Sequence, residues 1–172
     1  MLLLSGGSAR ADLLKPGAPV IDWQRGLLLA RAGAAADLRT PSAKVARVGA
    51  ERRARDAVHA ALAAAALDLR LADGRTVGAA VAADAPARAR LDHAIARALD
   101  VSIDWSTDGS TMITAGLPLE AVRVALAGAP PPPAADGAAP TALVVDGLAL
   151  SGTRPAIGYR IAAGKQPCAG PT

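Results

Sequence analysis

The chain has 172 residues, a formal net charge of +4 and a hydrophobic fraction of 52 %, yet aromatics make up only 2 % and phenylalanine is absent. That length suits one domain, long enough to bury roughly two-thirds of its unfolded surface, with a core of Leu, Val, Ile and a great deal of Ala. A nucleic-acid binder is disfavoured, because acids are interspersed with the bases and the aromatics that stack on single strands are nearly missing. The lone cysteine, Cys168, rules out an internal disulfide or a cysteine-based metal site, and it is misplaced for an N-terminal lipid anchor.

Residues 1–18 read as a leader. The stretch MLLLSGGSARAD has a short apolar run, small residues, then Ala9-Arg10-Ala11 before Asp12. It resembles the back half of a secretory signal peptide with an A-x-A cleavage site, without the basic n-region and most of the apolar core. Two readings stay open. A signal peptide truncated in this sequence makes the protein periplasmic or envelope-associated; a mere loose leader leaves it cytoplasmic. No run of about 18 apolar residues follows, so no membrane span is expected.

A single domain is expected over residues 19–162. Residues 19–32, PVIDWQRGLLLARA, read as a hairpin turning at Gln24-Arg25-Gly26. A small-residue loop leads to residues 40–71, which read as one long helix with Thr40 as its cap and Pro41 at the first helical position. Along it Ala43, Ala46, Ala50, Ala54, Ala57, Ala61 and Ala64 recur at steps of three or four, a stripe of small side chains at about 100° per residue. Such a stripe lets the helix approach a neighbouring layer closely, so enlarging Ala54 or Ala57 should overpack the contact. A rival account takes Val58 and Leu62 as the markers of the buried face. Lys44, Arg47, Glu51, Arg52, Arg55 and Asp56 lie off the stripe, with Arg47–Glu51, Glu51–Arg55 and Arg52–Asp56 at i,i+4 spacing. The arginines splay around the helix, which suits a solvated face better than a phosphate track.

Asp73-Gly74 marks a turn, and residues 76–83 are ambiguous, open to a short strand. Residues 86–99 read as a second helix with Leu91, Ala94, Ile95 and Ala98 on one face. Residues 101–116 read as a second hairpin turning at Thr107-Asp108-Gly109-Ser110, and residues 119–127 as a short third helix. A Pro-rich, polyproline-like linker occupies 128–140. Beyond it come a strand at 141–145, a last strand at 156–162 and a loose tail over 163–172.

Chemical motifs are weak. Ile21-Asp22-Trp23 and Ile103-Asp104-Trp105 echo one another, each followed by a polar turn and an apolar strand ending Ala-Gly, which suggests two similar edges or a pseudo-repeat in one sheet. Asp22 and Asp104 form an acid–base couple only on paper, since no third group supports them; each more simply bonds its adjoining turn. His59 and His93 have no partner at metal spacing. Residues 158–165 fail as a phosphate loop, with Gln166 where Ser or Thr is needed. No catalytic, cofactor-binding or metal residue is assigned, and the chain is not expected to be an enzyme or to need a cofactor.

Residues 141–161, TALVVDGLALSGTRPAIGYRI, carry a strand–loop–strand pattern. On Ala142, Leu143, Val144, Val145, Asp146, Gly147, Leu148, Pro155, Ala156, Arg160 and Ile161 this pattern resembles the twenty-kilodalton lipoprotein (LPP) family and the N-terminal domain of flagellar assembly protein T. The upstream order of opening hairpin, long helix with Glu51, Arg52 and Ala54, and late hairpin into Leu117-Pro118-Leu119 is similar too. The resemblance implies an α+β fold, one long Ala-rich helix and shorter helices on one face of a largely antiparallel sheet. It also implies a non-enzymatic interaction or assembly module of the bacterial envelope or periplasm, with protein partners. The alternative is a small-molecule or glycan-binding protein with a cleft between sheet and linker. The final segment is expected to cross back and pair within the main sheet.

Overall fold

The computed structural model describes residues 16–127 and 155–158, and the backbone of 162–163 and 166–167. The fold is α+β. Strands β1 (Val20–Asp22), β2 (Leu27–Ala34), β3 (Leu99–Trp105) and β4 (Thr111–Pro118) make one antiparallel sheet in the order β1-β2-β4-β3. Helices α1 (Ala43–Asp68), α2 (Val77–Ala82), α3 (Ala85–Ala96) and α4 (Leu119–Ala127) supply the other layer. Each hairpin hands on to a helix, and the hairpins meet through their second strands. The two Ile-Asp-Trp strands therefore lie at opposite edges of the sheet, as the echo in the sequence suggested.

The central pair sets Leu28 opposite Leu117, Ala30 opposite Ala115 and Ala32 opposite Ile113 on the face that meets α1. Alternation turns Leu27, Leu29 and Arg31 to the other face. There Gly116 makes room for its neighbours: a Cβ on it would lie 3.3 Å from Leu29 Cδ2 and 3.4 Å from Val101 Cγ2. A register shift between Asp100 and Ser102 marks the bulge in β3 that carries Val101.

Helix α1 begins two residues later than expected. Ser42 caps it, its Oγ accepting from Val45 N at 3.3 Å, while Thr40 Oγ1 instead donates to Asp37 O at 2.8 Å. Pro41 thus precedes the cap. The buried stripe is Ala46, Ala50, Ala54, Val58, Leu62 and Ala66, uniform steps of four. Each such step turns the face by about 40° at 3.6 residues per turn, so the stripe winds around the helix and Ala43, Ala57 and Ala64 fall on the exposed side. The alanine stripe and its rival were each half of the buried face. Ala46, Ala50 and Ala54 begin the stripe, the larger Val58 and Leu62 follow, and Ala66 ends it.

The 76–83 stretch is a helix, not a strand. Thr76 caps α2, accepting from Ala79 N at 3.1 Å, and Val77 and Val81 are its buried residues. Asp84 caps α3 by accepting from Ala87 N at 2.9 Å, with Pro86 in the first turn. Between α1 and α2, the main chain doubles back through Gly74, at φ +87°, with Leu71 N donating to Arg75 O at 2.8 Å and Val77 N to Leu69 O at 2.9 Å.

Residues 155–158 do return to the domain, but to this doubled-back segment and not to the four-stranded sheet. Ile157 forms a parallel bridge with Leu71, donating to Arg70 O at 2.9 Å and accepting from Ala72 N at 2.9 Å. Its side chain is buried in the main core. Farther on, Ala162–Ala163 (β5) pairs with Gln166–Pro167 (β6): Ala162 ends the expected last strand, and the other three residues lie in the tail expected to be loose. Residues 1–15 of the leader, the linker, the 141–145 strand and Asp146, Gly147, Leu148 and Arg160 lie outside the described residues. Among the described residues, no helix is long and apolar enough to cross a membrane.

Candidate functional site

The residue that gathers a site around itself is Arg123, which motif reading passes over. In α4, Leu119, Val122, Arg123 and the half-buried Leu126 occupy the i, i+3, i+4, i+7 positions of the inward-facing helical stripe. One of those positions is an arginine. Its residue is only 4 % exposed, an unusual placement for a permanent cation. Glu120, on the solvent side of the same turn, compensates it: Nε donates to Oε2 at 2.7 Å and Nη2 to Oε1 at 2.6 Å. The bidentate contact pushes the Arg123 guanidinium pKa up and holds the Glu120 carboxyl below its ordinary value. Nη1, equally buried, has no hydrogen-bond partner among the described residues.

Arg123 lies between two cavities. The larger, about 490 Å3, is bounded by Leu71, Arg75, Leu126 and Gly158 among others. The smaller, about 220 Å3, is bounded by Trp23, Glu120 and Ala156. Ile157 lines both and separates them. A third cavity of about 440 Å3 continues the line past Trp23 to Pro155, Ile21 and Arg70. Residues 155–158 therefore run along a chain of three cavities, paired through Ile157 with the edge of the 70–72 main chain beneath them.

Electrostatically the site is close to neutral. Arg75 is held by Asp73, whose Oδ2 accepts from Arg75 Nε at 2.8 Å and which keeps the Asp73 pKa low. Asp84 is committed to its helix cap. With Arg123 matched by Glu120, the remaining capacity is hydrogen-bond donation from Nη1, not an excess of positive charge. Such a group suits a neutral oxygen acceptor, a carbonyl above all, better than a free anion.

The residues weighed from sequence fare differently. Asp22 is buried and bonds its turn as expected, accepting from Gln24 N at 3.1 Å and Arg25 N at 3.2 Å. Asp104 does not: it meets Arg31 Nη2 of β2 at 3.5 Å, and Asp108 serves the turn, accepting from Ser110 N at 2.9 Å. The two aspartates sit on opposite edge strands and form no couple. His59 is half-buried on α1 and His93 exposed on α3. Among the described residues, no group of three or more His, Cys, Asp or Glu is placed to hold a metal ion. Of the family-pattern positions, Pro155 is exposed and Ala156 half-buried beside the Arg123 site.

No family model, curated protein or solved structure matches the chain.

Proposed function

We propose that this protein is a non-enzymatic binding module of the bacterial envelope or periplasm, working through protein partners at the site around Arg123. The observation that carries the reading is Arg123 itself: a residue 4 % exposed, with Nη1 unpartnered among the described residues and lying between two cavities. A buried donor left without an acceptor costs stability, so its retention favours a use in binding. Charge neutrality and an adjoining main-chain edge favour a peptide acceptor. The pattern at Pro155 and Ala156, which resembles envelope proteins, supports the setting, as does the Ala9-Arg10-Ala11 leader.

A second reading, a small-molecule or glycan-binding protein, is favoured by one fact. A cavity of about 490 Å3 falls within the range usual for small-ligand pockets.

Side-chain NMR of arginine Nε–H groups separates these readings. Titration with acetyl-isoleucine-methylamide, a capped residue with two amide carbonyls, should shift the Arg123 resonance saturably and leave that of Arg53 in place. A larger response to N-acetylglucosamine would favour the second reading. No response to either, in parent protein with α4 intact, would remove Arg123 as a binding group.

A further inference from the structure

The 70–72 edge is held by very little. Residues 155–158 dock on it through two main-chain hydrogen bonds, Ile157 N to Arg70 O and Ala72 N to Ile157 O, both 2.9 Å. One side chain, Ile157, enters the core. Around that thin contact lie cavities of about 490, 220 and 440 Å3, so the segment underfills the groove in which it lies. The donor at Arg123 Nη1 finds no acceptor in it.

These features belong together. Main-chain bonds along a free edge give an extended peptide affinity irrespective of sequence, and pockets beside alternate residues give it selectivity. Here the edge is Arg70–Ala72, the aliphatic pocket is the one Ile157 occupies, and Arg123 flanks it with spare donors. Resting on the binding site proposed above, we propose that residues 155–158 are an internal placeholder in a peptide-binding groove. The partner is an extended segment of another protein, with a branched aliphatic residue at the Ile157 position. Its larger flanking side chains fill the cavities, and one of its carbonyls accepts from Arg123 Nη1. A second copy of this chain is the poorer occupant, because its own 155–158 would leave the same volumes empty.

Exchange demands that the internal segment be able to leave. Gly158 offers a way to bias that step without disturbing the core. It sits at φ +86°, and nothing lies within 4 Å of the place its Cβ would take. Alanine there strains only the docked conformation, by an amount that shifts an opening equilibrium roughly five- to thirtyfold. Apparent affinity for an incoming peptide improves by the same factor while the closed form dominates.

The test uses the full chain and a fluorescein-labelled peptide of residues 153–161, Thr-Arg-Pro-Ala-Ile-Gly-Tyr-Arg-Ile, followed by anisotropy. Binding should tighten five- to thirtyfold from parent to Gly158→Ala, and fall at least tenfold when the peptide's isoleucine becomes aspartate. Replacing the isoleucine by valine should preserve binding, since the pocket takes a branched aliphatic side chain. Ile157→Ala in the chain is a second route to opening, should Gly158→Ala fold poorly. Equal affinity in parent and Gly158→Ala, with both folded by circular dichroism, overturns the exchange. So does a concentration-dependent dimer that the peptide dissolves, which would make the occupant a second copy. If the peptide fails while acetyl-isoleucine-methylamide still shifts Arg123, the placeholder idea falls and the binding site stands. If both fail, both fall.

Discussion

Arg55, on α1, reaches across to Asp100 on the edge strand β3, Nη2 to Oδ2 at 3.0 Å, while holding Glu51 one turn back at 3.2 Å. The hydrogen bond to Asp100 is the chief cause of the raised Arg55 pKa. A raised cationic pKa loses its stabilisation only as pH rises through the folded value, so this tie is insensitive to ordinary alkaline conditions. Both side chains are about a third exposed, 35 % and 36 %, which limits the pair to the surface range. Arg55→Ala should therefore cost about 0.5–1 kcal/mol, and a double-mutant cycle with Asp100→Asn should show a coupling of about 0.2–1 kcal/mol. A coupling of zero by urea denaturation would leave the contact without energetic meaning.

Ala54 and Ala57 separate the buried stripe from the exposed side of α1. Ala54 is 0 % exposed and in the core cluster, whereas Ala57 is exposed. Ala54→Leu adds methylenes to a tight helix–sheet contact and should cost about 1–3 kcal/mol. Ala57→Leu should stay within about 0.5 kcal/mol, since leucine is nearly as good a helix former as alanine. Denaturation midpoints of the two variants beside the parent decide it; equal losses would place the buried face elsewhere.

Glu120 makes the stability of α4 depend on acid. Its pKa is lowered, first by the hydrogen bond from Arg123, so its contribution is complete above the unfolded value of about 4.3 and is lost as pH falls through the lower folded value. Protonation also strips the buried Arg123 of its counter-charge. Melting temperature between pH 6 and pH 3 should fall more steeply in the parent than in Glu120→Gln, which has already lost the carboxylate. Parallel curves would mean that the pair carries no pH-linked stability.

Export is the remaining expectation that a measurement can settle. Ala9-Arg10-Ala11 predicts cleavage after Ala11, so protein made from its native gene should begin at Asp12. Intact-mass analysis reads the first residue directly. Retention of Met1 in cytoplasmic protein would defeat the envelope setting while leaving the Arg123 site untouched.

Features governed by near neighbours were legible in the residues. The turns at Gln24-Arg25-Gly26 and Thr107-Asp108-Gly109-Ser110 lie between paired strands, and α4 spans Leu119–Ala127 as its pattern indicates. Turn chemistry and helical periodicity act within a few positions, so a short window contains their cause. The α1 cap was misplaced by two residues because Thr40 and Ser42 are both competent caps, and Asp37 O draws the Thr40 hydroxyl away. The α2 segment was ambiguous because six residues, VGAAVA, are too few to show a period.

Everything that makes the candidate site depended on the packed chain. An arginine at the i+4 place of an apolar stripe is a visible oddity, but only the neighbours of α4 bury it to 4 % and leave Nη1 without an acceptor. Whether Ala54 or Ala57 is inside depends on how a stripe stepping by four winds against a sheet, a matter of two surfaces and not of one helix. The last segment carries enough apolar residues to demand burial, and Ile157 is buried. Its place at Arg70–Ala72 follows from an unpaired main-chain edge that exists only once α1 and α2 have folded back on each other. Local preferences shape elements; shape and hydrogen-bond complementarity between distant elements choose which faces meet, and the site lies where they meet.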